Sequence, residues 1–159
     1  MECPDAPDWI KEADWKGDVE IEDGRLVFKS GIWKRGIWKD GIWENGVWYN
    51  GTWKRGIWKN GTWNGRTWED GVWYDGIWNG GTWEDGVWKN GRWEGGHWED
   101  GVWKNGKWND GTWENGIWEG GSWTNGIWYD GTWIKGVWLF GIWEDGVWYS
   151  GSSLNRVKK

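Results

Sequence analysis

One histidine, one cysteine and 25 carboxylates are the groups in this chain with the chemistry to act on a substrate or hold a metal. His97 has the nitrogens for a general base or a metal ligand. It stands alone, at an outward position in a run of tolerant residues, and reads as an exposed substitution. Cys3 has no second cysteine, which excludes an internal disulfide and a cysteine metal cluster. Asp and Glu recur along the chain, so carboxylate pairs arise by geometry alone; nothing marks one of them for a raised pKa. Asp-x-Asp calcium loops are missing. The glycines are regular and form neither a phosphate loop nor a dinucleotide fingerprint, and no nucleophile constellation appears. The expectation is a chain that is not an enzyme, with no catalytic, cofactor-binding or metal site.

The elements that position these groups come from one repeat. From Trp33 to Trp148 a Trp stands at every fifth residue, 24 in all. Gly lies two places before each, except that Arg66 precedes Trp68 at that distance and Gly65 lies one place earlier. The residue between Gly and Trp is Ile, Val or Thr in 20 of 24 units, the exceptions being Arg92, His97, Lys107 and Ser122. The fifth place is Asn, Asp or Gly in 19 of 24, so each unit closes on a turn signal. A period of five is neither the helical 3.6 nor a long alternating strand. Within a unit, Gly and Trp are two apart and share a face of an extended segment, while the β-branched residue faces the other way. Each unit is a short strand followed by a corner, and equal strands with equal corners wind into a solenoid.

Magnitude decides which face is inside. A buried indole contributes about 5 kcal/mol at ~25 cal/mol/Å², against about 1.5–3 kcal/mol for a β-branched side chain. The predicted interior is therefore Trp plus Gly, with glycine making room for the ring and corner carbonyls accepting the indole N–H groups. With 26 Trp and 30 Gly but 3 Leu and 2 Ala, an ordinary aliphatic core is excluded.

The G-x-W-x-x unit resembles the pentapeptide-repeat family over residues 31–151, with Trp33, Trp38, Trp43 and their successors in the family's large central place and Gly31, Gly36, Gly41 and theirs in its small one. The letters depart from it, since the family centre is usually Leu or Phe. That resemblance implies a right-handed, four-sided β-helix. A weaker resemblance is to membrane-occupation-and-recognition repeats, whose longer period does not fit. Sequence identity between units is higher three apart than four apart, most of all over residues 61–105, which hints at three-sided coils. Volume points the other way, because a triangle of five-residue sides must hold three indoles at interior density. The expected fold is an all-β solenoid of 24 units, four-sided with about six coils, or alternatively three-sided with about eight.

Residues 1–30 break the pattern and read as an N-terminal cap: a helix-like stretch near Trp9–Trp15, then strand, turn and strand with Asp23-Gly24 at the turn. Residues 152–159 read as a flexible polar tail. Two surface features stand out. Lys34, Arg35, Lys39, Lys54, Arg55 and Lys59 recur at a spacing of 20, a candidate basic patch on four-sided coils. Ile134, Leu139 and Phe140 fill usually polar places, and Tyr129 and Tyr149 would stack on a 20-residue coil; these five form the candidate interface.

A net charge of −6 argues against broad nucleic-acid binding. No transmembrane segment or signal peptide is visible, so the expected setting is the cytoplasm, with no membrane partner. The expected function is a non-catalytic structural or protein-interaction solenoid, a homodimer or a partner's dock at the C-terminal coils. Two alternatives stand beside it: a carbohydrate-binding module using exposed aromatics, and an acidic DNA mimic of the kind by which some pentapeptide-repeat proteins bind topoisomerases.

Overall fold

The computed structural model describes residues 3–154 and 157–158. A four-residue helix, α1 (Asp8–Lys11), precedes two long strands, β1 (Asp14–Glu22) and β2 (Arg25–Arg35). Two-residue strands follow, each one an outward residue and its Trp, from β3 (Ile37–Trp38) to β25 (Val147–Trp148). Two more close the chain, β26 (Ser152–Ser153) and β27 (Val157–Lys158). The helix-like stretch near Trp9 is thus a single turn, and Trp15 lies in β1.

Each repeat strand up to β24 pairs in parallel with the strand 15 residues on: Val72 with Val87, Trp73 with Trp88, and so along the chain. The coil is therefore three-sided, and 24 indoles in three columns make eight coils. This corrects the four-sided, six-coil expectation in favour of its alternative. The second face, from Trp38 onward, is a nine-stranded sheet of its own. The first and third faces are joined in one sheet because β2 runs round a corner, pairing Val27–Phe28 with Ile42–Trp43 and Ile32–Trp33 with Val47–Trp48.

Three indoles fit inside a triangular coil because flat rings interleave edge to face and stack. Within a coil each ring meets the next edge to face, as Trp83 does Trp88 at 6.0 Å and 72°. Between coils the rings stack, as Trp73 does Trp88 at 4.8 Å and 6°. Both are arrangements the ring quadrupole favours. All repeat Trp from Trp33 to Trp143 are buried, and no polar or charged residue is buried among the described residues.

The N–H groups are less well served than the sequence suggested. Trp103, Trp108, Trp123 and Trp133 donate to the corner carbonyl 17 residues on, at 3.1–3.2 Å. Eighteen other repeat indoles have no acceptor.

Glycine makes room for the rings, as at Gly136, where a Cβ would come within 3.1 Å of Trp118 and Trp133, and it has a second role at the corner. Gly86 has φ +119°, outside the range of ordinary L residues, and a Cβ there would overlap the Gly71 carbonyl oxygen of the previous coil. Its N–H donates to Asp85 Oδ1 at 2.6 Å and so closes the preceding corner. All eight fifth-place Asp residues, and Asn50, accept in this way from the glycine that follows, which accounts for the Asp part of the fifth-place signal.

At the start, β1 runs antiparallel along all of β2, through the turn at Asp23 (φ +49°) and Gly24 (φ +74°), and so covers the first edge of the third and first faces. Trp9 of α1 packs edge-on against Trp38 at 5.3 Å and covers the second. At the far end, β26 and β27 add a rung to the first and second faces only. The third face ends at Val147–Trp148, where Val147 is exposed and Trp148 half-buried.

Candidate functional site

Outward side chains fall in two columns per face, one before and one after the Trp. Arg92 and Glu94 pair across Trp93, and His97 lies 3.7 Å from Glu114 one coil on. The residue after each Trp is held by its own ladder bond, as Lys89 N–H donates to the Trp73 carbonyl at 2.7 Å.

A spacing of 20 is one coil plus one side, so the six basic residues spread over three faces. Lys34 and Arg35 end the first face, 3.7 and 3.9 Å from Asp14. Lys39 and Lys54 stand on the second, with Lys54 3.3 Å from Glu69 and Arg55 3.3 Å from Asp40. Lys59 is on the third, 3.2 Å from Glu44. Five of the six thus lie beside carboxylates, and such exposed pairs contribute little stability. The Lys59 ammonium that donates to Glu44 holds its carboxyl below the usual range, with Lys29 adding to the effect.

Above Lys54 the second face turns acidic: Glu69, Glu84, Glu99 and Glu114 follow at one per coil. Partial burial, together with Glu99 and Glu69 on either side, raises the pKa of Glu84. Beside them runs a column of Thr52, Thr67, Thr82, His97 and Thr112.

The aromatic and aliphatic candidates also redistribute. Tyr129 is on the second face, between Glu114 and Glu144 of the coils before and after it, and does not stack on Tyr149. Tyr149 follows Ile134 on the third face, both exposed. Leu139 is on the first face and Phe140 at its far corner, 52% exposed. Two residues missed from sequence complete this group: Val137 beside Leu139, and Leu154, 70% exposed, one coil on from Leu139. Positions 139 and 154 are neighbours on a 15-residue coil and not on a 20-residue one. Together Ile134, Tyr149, Val137, Leu139, Leu154 and Phe140 make an apolar belt that passes from the third face across the first on the last coils. Exposed Lys135 stands at the corner between Ile134 and Val137; exposed apolar side chains gathered at one end of a fold are the kind of surface that partners cover.

The cap holds a recess of about 410 Å³ lined by Cys3, Pro4, Ala6, Ile10, Lys11, Trp15 and Val19. Among the described residues no His, Cys, Asp and Glu side chains cluster to hold a metal, and no helix is long and apolar enough to cross a membrane. The geometry defines a tryptophan-cored β-solenoid repeat protein. No family model, curated protein or solved structure matches the chain.

Proposed function

We propose that the chain is a non-catalytic interaction scaffold that associates with a second copy through its C-terminal coils. The observation that carries this reading is the group of exposed apolar side chains on the last coils. An isologous contact covers both belts with one surface. A carbohydrate platform is less favoured, since the repeat indoles from Trp33 to Trp143 offer no ring face to solvent. The DNA-mimic reading finds acidic charge on the second face, but Lys39 and Lys54 interrupt it at the start. Kinship with pentapeptide-repeat proteins is proposed in side-chain logic alone, on three sides instead of four. A cytoplasmic setting belongs to the same proposal, as a fold that holds its single cysteine free needs no oxidising compartment.

The test is light scattering on the wild type and on a Leu139→Asp, Phe140→Asp double variant. The expected result is a dimer reduced to a monomer by the substitutions. A wild type that stays monomeric at high micromolar concentration overturns self-association, and a variant that remains dimeric moves the interface elsewhere.

A further inference from the structure

The three indole columns run the length of the solenoid without a break. In the second-face column Trp38, Trp53 and Trp68 begin a series that ends at Trp143, each ring 4.7–5.0 Å from the next and within 4–7° of parallel. The columns are joined laterally, since neighbouring rings in a coil meet edge to face at 5.5–6.1 Å. Trp9 extends the path into the cap, 5.3 Å from Trp38. At the other end, half-buried Trp148 is followed by Tyr149, 71% exposed.

Indole is the side chain here that gives up an electron most readily while buried. What normally stops an indole radical cation from passing its charge on is loss of the N–H proton, which fixes the radical in place. From Trp33 to Trp138 this core has nothing to take that proton. No charged or polar residue is buried among the described residues, eighteen repeat N–H groups have no acceptor, and four meet only amide carbonyls, which are not bases. A cation in an apolar interior is costly. Sharing it along a stack lowers that cost, and so does the column of Glu69, Glu84, Glu99 and Glu114 on the outside of the second face.

We propose that the indole columns relay one-electron holes from the cap to the C-terminal coil. An outer-sphere one-electron oxidant at the cap takes an electron from Trp9 and is itself reduced by one. Each indole radical cation is then refilled by an electron from its neighbour, and no bond forms or breaks. At the exit Tyr149 gives up one electron and its phenolic proton passes to water, leaving a neutral phenoxyl radical. The net transfer is one electron from Tyr149 to the oxidant and one proton to solvent.

The single cysteine gives the test its entry point. A ruthenium(II) polypyridyl complex attached at Cys3 is converted to ruthenium(III) by a flash and a sacrificial acceptor, and phenoxyl formation is followed by transient absorption. Tyr49, Tyr74, Tyr129 and Tyr149 are the only tyrosines. One variant keeps Tyr149 alone and a second keeps Tyr74 alone, the others being replaced by Phe on the surface. A relay gives phenoxyl signals of similar yield in both, at rates independent of protein concentration. Direct tunnelling falls off exponentially with distance and leaves Tyr149, roughly 34 Å along the coil spacing from the cap, silent; that outcome overturns the proposal.

In the Tyr149 background, Trp83→Phe, Trp88→Phe and Trp93→Phe together remove one oxidisable coil. The core already accepts such a ring, as Phe28 stacks on Trp43 at 4.0 Å. Loss of the Tyr149 signal is expected, with circular dichroism unchanged outside the lost indole bands, and an undiminished signal overturns the relay. Trp88→Phe alone leaves two columns open and is expected to keep the signal. Should the triple variant fail to fold, the Tyr74–Tyr149 comparison decides by itself.

Discussion

Glu84 sits in a column of like charges, and burial with Glu69 and Glu99 raises its pKa. The folded chain therefore holds that proton more tightly than the unfolded one, and stability falls as pH rises from the ordinary glutamate range through the raised value. Glu84→Gln removes the repulsion and is expected to raise Tm at neutral pH. The gain should fade below pH ~4, where glutamate is protonated in both states. Glu44 has the opposite sign: its pKa is lowered by Lys59, so its contribution is present above the ordinary carboxylate range and is lost as pH falls. Glu44→Gln should lower Tm at neutral pH. Thermal melts of the two variants across that range check both, and a pH-independent effect for Glu84 would contradict the assigned cause.

The unit itself was legible in the sequence, while the coil was legible only in the higher identity of units three apart, a signal outweighed by the volume expected of three indoles. Strand, corner and inward Trp follow from the G-x-W spacing and from the Asp-Gly or Asn-Gly ends, the first of which the bond from Gly86 N–H to Asp85 explains. The number of sides depends on how Trp83, Trp88 and Trp93 fit together edge to face, and packing of that kind leaves no local signal. The candidate interface suffered for the same reason: Leu139 and Phe140 were readable as misplaced apolar residues, while Leu154 becomes their neighbour only on a 15-residue coil. One unit departs from the pattern and offers a test. Where Arg66 takes the glycine place, the ladder bond from Thr67 N–H to the Gly51 carbonyl lengthens to 3.3 Å, against 2.9 Å for Val87 to Gly71. Gly65 itself lies against the buried Trp48 ring, where a Cβ would overlap Nε1 and Cδ1. Gly65→Ala is therefore expected to destabilise by about 1–3 kcal/mol; urea titration measures it, and a change within about 0.5 kcal/mol would show that the ring can move aside.

At the scale of the molecule, each coil touches only the coils before and after it, so stability is close to a sum of coil and interface terms. Deleting residues 76–90 takes out one coil and joins Asp75 to Gly91, leaving the unit pattern intact. The shortened chain should still melt cooperatively, with a urea m-value reduced in step with the surface it no longer buries. A molten or aggregated product would mean that the columns are not interchangeable.

The likeness of the three faces on the inside, against their difference on the outside, has a further consequence. Because every unit offers the same Gly and Trp inward, gain or loss of a single five-residue unit keeps indole upon indole. Everything downstream, however, swings by a third of a turn about the long axis. The apolar belt at Leu139 and Leu154 would then point in a new direction relative to the α1 cap, with no change to either. Insertions in steps of five thus act as a dial, setting the bearing of one end against the other at constant core chemistry, and fifteen residues bring the dial back to its starting mark.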